Sequence, residues 1–124
     1  MGEDRRPRVP DSLQEPFRSA LVAAADVWIE REGLISIVLF GSVARGDFTP
    51  DSDIDVLVVT EKLDTDLKWD IWGVGSEVSL EFDVLFNLHV YPRALWESLR
   101  AKRKTIWRNV EQDGVELTLK PVPA

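Results

Sequence analysis

The sequence contains no cysteine and only one histidine among its 124 residues. Without cysteine there can be neither disulfides nor thiolate metal sites, but a hard-cation site built from oxygen ligands remains possible. No apolar run is long enough to span a bilayer. The start of the chain is charged and lacks the apolar stretch of a secretory signal, so we expect a cytoplasmic protein.

Basic residues are also fewer than acidic ones. The chain has 15 Lys and Arg residues and 22 Asp and Glu residues, and its formal net charge is -7. Sequence-independent binding to nucleic acid depends on cations that contact phosphates, so it is not expected. A basic cluster near the predicted end of a helix comprises Arg100, Lys102, Arg103 and Lys104. We interpret it as complementing a helix C-terminus, with contact to a triphosphate or an acidic partner as the alternative.

The composition, with 44% hydrophobic and 30% charged residues, is that of an ordinary globular domain. The chain length leaves room for one domain. We therefore predict a frayed tail over residues 1–10, a single domain over residues 11–120 and a short tail over residues 121–124. The single histidine, His89, follows a predicted strand, and we interpret it as a surface residue rather than a general base.

Helical and β-type apolar patterns alternate along the chain. This alternation indicates an α/β or α+β fold, with a sheet covered by helices mainly on one face. The predicted elements are a helix from Leu13 to Trp28, strands over residues 35–40 and 53–60, a helix between residues 64 and 75, a strand over residues 78–87, a helix after Pro92, a short segment over residues 106–110 and a strand over residues 115–119.

A small-residue turn follows the first predicted strand at Gly41 and Ser42. Glycine at a strand end allows close approach of the backbone, and a short helix beginning near Ser42 would present free N–H groups to phosphate oxygens. Ser42 would add a hydroxyl donor and Arg45 a positive charge. Arg45 is equally compatible with a surface ion pair to Asp47.

Two acidic residues, Asp53 and Asp55, lie two positions apart on the second predicted strand, so their side chains project from the same face. Asp83, on the third predicted strand, would join them if the two strands were neighbours, and Glu81 on the same face is an alternative. Three clustered carboxylates would repel one another without cations between them. Mg²⁺ is the expected cation, because it favours oxygen ligands and shares its shell with phosphates.

The motif GSVARGD over residues 41–47, the motif SDID over residues 52–55 and Asp83 within FDVL resemble the signature of polymerase β-type nucleotidyltransferases, most closely the minimal single-domain group. The resemblance implies a polymerase β-like fold with a mixed sheet, and attack of a hydroxyl on the α-phosphate of ATP. It implies two Mg²⁺ ions, with Asp53 and Asp55 bridging both and Asp83 holding the catalytic ion. Gly41 and Ser42 would hold the β- and γ-phosphates.

The resemblance also implies where the acceptor comes from. Relatives that modify aminoglycosides or extend RNA carry a further helical domain, for which this sequence leaves no room. Minimal members typically act with a helical partner of the HEPN type, often a ribonuclease toxin, so we expect an antitoxin that transfers AMP to a tyrosine of its toxin. The alternatives are transfer to a small molecule across a homodimer and a non-catalytic binding module.

Tryptophan is frequent for so short a chain, with five residues. That number exceeds what a small core usually requires, and aromatic residues are enriched at protein interfaces. Trp69, Trp72, Trp96 and Trp107 are therefore candidates for a contact surface, with core packing as the alternative for each.

Overall fold

A computed structural model describes residues 6–118 of the chain. The elements are α1 (Phe17–Trp28), β1 (Leu34–Phe40), α2 (Gly41–Arg45), β2 (Ile54–Thr60), α3 (Thr65–Phe82), β3 (Phe86–Pro92), α4 (Arg93–Ala101), α5 (Thr105–Asp113) and β4 (Val115–Glu116). The predicted tail over residues 121–124, residues 1–5 of the N-terminal tail and Leu119 of the last predicted strand lie outside the described residues.

Four strands form one mixed sheet in the order β3-β2-β1-β4. β1 is antiparallel to both β2 and β4, whereas β2 and β3 are parallel. A parallel pair needs a long crossover connection, and α3 supplies it. The expected α+β class with a mixed sheet is confirmed.

The larger part of the core lies between one face of the sheet and the helices α1 and α3. Its largest buried members include Trp28 and Leu21 from α1, Ile37 and Ile54 from the sheet, and Ile71 from α3. The indole Nε1 of Trp28 donates a 2.9 Å hydrogen bond to the carbonyl of Ile71, so the one polar atom of this buried ring is satisfied.

A smaller cluster covers the opposite face of the sheet. Val38, Phe40, Leu57 and Val59 are buried there, and Trp96 of α4 is among the side chains that pack over them. The short helices α4 and α5 thus close part of the face on which Asp55 also lies. Along residues 6–118, none of the helices combines the length and the apolar character needed to cross a bilayer.

The third strand and the helix before it were predicted wrongly. We expected a helix between residues 64 and 75 and a strand over residues 78–87, but α3 continues to Phe82 and β3 begins only at Phe86. Asp64 caps the helix by accepting the N–H of Leu67 at 2.8 Å. Buried positions at Ile71, Gly75 and Val78 then recur at helical spacing, which continues the helix through its two glycines.

The other elements lie close to their predicted positions. α1 begins at Phe17 rather than near Leu13, and β2 begins at Ile54 rather than at Asp53. α4 starts directly after Pro92 and ends with Arg100 in its last turn. The basic cluster therefore lies at a helix C-terminus, as interpreted from the sequence.

Candidate active site

Gly41 lies directly against the carboxylate of Asp55. The antiparallel register pairs Phe40 with Asp55, so the residue that follows β1 meets the start of β2. Gly41 has a φ of +78°, and a Cβ added to it would stand 2.0 Å from Oδ2 of Asp55. Any side chain at position 41 would therefore collide with this carboxylate, in a left-handed conformation that already favours glycine.

Asn87 holds the same carboxylate from the other side. In the parallel register of β2 and β3, Asp55 and Asn87 are partners. The Nδ2 atom of Asn87 donates a 2.8 Å hydrogen bond to Oδ1 of Asp55. Asp55 is thus fixed between a backbone turn and an amide donor, which orients it before any ligand binds.

These residues line a recess of about 560 Å³ at the ends of β1 and α2. That volume lies within the usual range of small-molecule sites. Its walls come from the sheet, from α2 and from α5, and include Gly41, Ser42, Arg45, Asp55, Asn87, His89, Thr105, Ile106 and Asn109. The turn and one of the two motif aspartates therefore share one concave site.

Arg45 reaches the recess but is already paired with two acids. Its Nη1 lies 2.7 Å from Asp113 at the end of α5, and its Nε lies 3.1 Å from Asp47. The hydrogen bonds to Asp47 and Asp113 raise the pKa of Arg45 above its usual value. The surface pair to Asp47 that the sequence left open is present, and the contact with Asp113 also ties α2 to α5.

Asp53, the first aspartate of the SDID motif, directly precedes β2 and is exposed. It stands two residues before Asp55, at the end of the sheet that carries the recess. The carboxylate of Asp53 is therefore open to solvent. It belongs to a residue only two positions before Asp55, whose carboxylate lies between Gly41 and Asn87.

Asp83 is not where the sequence placed it. It lies at the end of α3 in the left-handed conformation, with a φ of 54°, instead of on a strand beside Asp55. Its side chain lines a separate recess with Asp51 and Ser52. Glu81, the alternative to Asp83, also belongs to the helix. Within residues 6–118, no three acidic or histidine side chains are grouped so that they could hold a metal ion, so the predicted three-carboxylate cluster does not form.

His89 is half-buried in the recess, and its interpretation as a surface residue was wrong. Its ring lies between Phe40 and Tyr91, with centroid distances of 5.8 and 6.2 Å. Burial lowers the pKa of His89, and the negative charge of Asp55 opposes this effect. The neutral imidazole is therefore the favoured form near neutral pH.

Sequence reasoning missed both Asn87 and His89 as members of the site. The sequence pattern put Asn87 at the end of a wrongly predicted strand. It gave no sign that His89 lies between Phe40 and Tyr91. The alternation of Asn87, His89 and Tyr91 with Phe86, Leu88 and Val90 is the period-two signal of a half-buried strand. That pattern could have located β3 and placed these polar residues on one face.

The mixed sheet, the glycine turn and the enclosed aspartate together define a nucleotidyltransferase, the class expected from the motifs. The model of the family described as "Nucleotidyltransferase domain" matches residues 23–116. The chain therefore belongs to this family and is an enzyme.

Two archaeal relatives extend the comparison. "Putative protein adenylyltransferase MJ0141" of Methanocaldococcus jannaschii is 32% identical over 90 residues, which cover 72% of this chain and 84% of the relative. A second protein of that organism, MJ0604, has the same descriptive name and is 37% identical over 81 residues, which cover 63% of this chain and 72% of the relative.

A solved structure described as a toxin-antitoxin with AMP-PNP shares the fold of this chain. The superposition has a TM-score of 0.54 and 21% sequence identity, and it covers 79% of this chain and 69% of that chain. The polymerase β-like arrangement expected from the sequence is thereby confirmed.

Proposed function

We propose that this chain is a Mg²⁺-dependent protein adenylyltransferase that moves AMP from ATP to a hydroxyl of a partner protein, as the antitoxin of a HEPN/MNT toxin-antitoxin pair. The observation that carries the proposal is the enclosure of the Asp55 carboxylate between Gly41 and Asn87. The descriptive names of the archaeal relatives support a protein acceptor, and the AMP-PNP in the similar complex supports an adenine nucleotide.

The donor atoms at the site suit a hard cation. Asp55 offers carboxylate oxygens held in place by Asn87, and Asp53 offers a second, exposed carboxylate. Mg²⁺ is commonly bound by one or two carboxylates, with substrate phosphates and water completing its shell. We therefore assign Asp53 and Asp55 as its ligands and leave Asp83 out. Bound there, the cation would neutralise phosphate charge and make the α-phosphorus more electrophilic.

The remaining residues would position the nucleotide. The main chain at Gly41 and the hydroxyl of Ser42 would hold the β- and γ-phosphates, with the Arg45 guanidinium adding positive charge at the same edge. The acceptor oxygen forms a bond to the α-phosphorus, and the bond from that phosphorus to the bridging oxygen breaks. Pyrophosphate leaves with the electron pair, and the hydroxyl proton passes to solvent through the open recess.

The test is transfer of label from α-labelled ATP to a co-expressed HEPN-type partner protein. Asp55→Asn keeps the side-chain size and removes the charge, so we expect transfer to fall at least about 100-fold, a loss typical of a removed electrostatic group. Chelation of Mg²⁺ should abolish transfer. Absence of transfer by the wild type, or an unchanged rate in Asp55→Asn, would contradict the proposal.

Asp83→Asn is the matched control. It makes the same chemical change outside the recess, and asparagine tolerates the left-handed conformation found there. We expect a rate close to that of the wild type. A loss as large as that of Asp55→Asn would restore Asp83 to the catalytic set that the sequence suggested.

A further inference from the structure

We propose that the acceptor protein docks in a groove between α3 and the open edge of β3, as an extended segment with apolar side chains and basic flanks. This acceptor groove is lined by Trp72, Leu80, Leu85, Phe86, Asn87 and Leu88, among others, and has a volume of about 580 Å³. The inference rests on the proposed function, because it locates the acceptor for the same reaction.

The acceptor groove is unusually apolar for an exposed surface. Leu80 is 87% exposed, Leu85 65% and Trp72 43%. A cluster of exposed large apolar side chains with a polar border is typical of an interaction site rather than of a free surface. Two tryptophans singled out by the sequence, Trp69 and Trp72, lie on this exposed side of α3, with ring centroids 6.5 Å apart.

The acceptor groove borders the candidate active site at Asn87. Asn87 lines both cavities, and its amide is the group that holds Asp55. A segment paired along β3 would present alternate side chains to the face of the sheet that carries Asn87 and Asp55, and a hydroxyl on such a side chain would face the Asp55 carboxylate.

The edge of β3 suits an extended segment. β3 is an outer strand of the sheet, and within residues 6–118 its strand partner is β2 on one side. An outer strand presents main-chain donors and acceptors to which another chain can pair as an added strand. Alternate side chains of such a segment would face the apolar wall formed by Leu80 and Leu85.

The negative charge near the acceptor groove indicates which kind of molecule the groove would bind. Glu77 and Glu81 on α3 are exposed, and residues 69–92 contain neither lysine nor arginine. Asp70 is paired with Arg31 and is not counted. This surface would repel nucleic acid phosphates and attract basic residues beside an apolar segment. A second copy of this chain, with a net charge of -7, is a poor electrostatic match.

The test compares Leu80→Glu and Leu85→Glu with Leu95→Glu. Leu95 is a matched control, because it is 44% exposed and lies on α4, outside the groove. Initial rates of AMP transfer to the co-expressed partner give kcat and KM, and calorimetry gives the affinity for ATP. We expect the groove variants to raise the acceptor KM at least tenfold with ATP affinity unchanged, and Leu95→Glu to match the wild type.

A defined peptide tests the predicted chemistry of the segment. The probe is a nine-residue peptide with one tyrosine among valines and two lysines at each end, and its counterpart carries glutamates at the ends. The lysine-flanked peptide should inhibit transfer to the partner more strongly than its counterpart, and only in chains with the apolar groove intact.

Transfer by the wild type with unchanged KM in both groove variants would overturn the acceptor groove and leave the proposed function standing. Absence of transfer by the wild type would instead contradict the proposed function itself. A wild-type dimer that Leu85→Glu converts to a monomer, without any change in transfer, would assign the groove to self-association and also overturn the inference.

Discussion

Replacement of Gly41 by alanine should inactivate the enzyme at a modest cost in stability. The new Cβ would stand 2.0 Å from Oδ2 of Asp55, where real Cβ contacts stay beyond 3.0 Å, so the carboxylate must retreat. A retreat of about 1 Å would break the hydrogen bond from Asn87 and move the carboxylate that we propose as a metal ligand. Misplacement by about 1 Å can cost about 100-fold in rate.

The stability change can be estimated from two contributions. A left-handed conformation costs a residue with a side chain about 1–2 kcal/mol. Loss of the bond between Asn87 and Asp55, which is exposed to solvent, adds about 1 kcal/mol. We therefore expect urea unfolding to show Gly41→Ala destabilised by about 2–3 kcal/mol, with the fold retained.

Gly46→Ala separates these contributions. Gly46 also has a left-handed conformation, with a φ of +87°, but a Cβ there would meet nothing within 4 Å. This variant should lose about 1–2 kcal/mol of stability through its backbone alone and keep its rate of AMP transfer. Equal rates in Gly41→Ala and Gly46→Ala would refute the idea that close packing on Asp55 is what requires glycine.

Two further predictions concern other polar contacts. Asn87→Asp replaces the donor to Asp55 with a second carboxylate, so Tm should fall in EDTA and recover with Mg²⁺ more than in the wild type; an unchanged Tm in EDTA would contradict this. Burial raises the pKa of Glu116, although the hydrogen bond from Ser36 opposes this effect. The folded state therefore favours the neutral carboxyl, and the free energy of unfolding falls as pH rises through the raised pKa. Glu116→Gln should therefore raise Tm at pH 7 to 8 and match the wild type near pH 4, and a lower Tm at pH 7 would count against it.

The first half of the fold could be predicted because its signals are local. β1 and β2 consist mainly of apolar residues, which predicts that both strands are buried. Gly41, directly after β1, marks the turn. The relation between Gly41 and Asp55 follows from the pairing of these two strands. The structure brings Gly41, Ser42 and Asp55 into one recess, and their roles in binding and catalysis stay predictions.

The second half of the fold depends on contacts between residues far apart in the chain, which the spacing of residues in the sequence cannot show. Val78, Leu80, Phe82 and Val84 alternate with polar residues, which is the pattern of a strand. The helical period is carried by Ile71, Gly75 and Val78 instead, and Trp28 of α1 packs against the helix at Gly75. Only the fold brings Trp28 to that position, so Asp83 was placed on the wrong element.

Asn87 changes how the charge of the site must be balanced. A third carboxylate beside Asp55 would need a cation to offset repulsion even in the empty site. The amide instead donates to Asp55 at 2.8 Å, so a hydrogen bond from a neutral group orients this carboxylate. With Asp53 and Asp55 as the proposed ligands rather than three acids, the site would supply less of a metal's shell by itself and would rely on nucleotide phosphates for the rest. Binding of metal and nucleotide should therefore be coupled, and the same amide borders the groove from which we propose the acceptor enters.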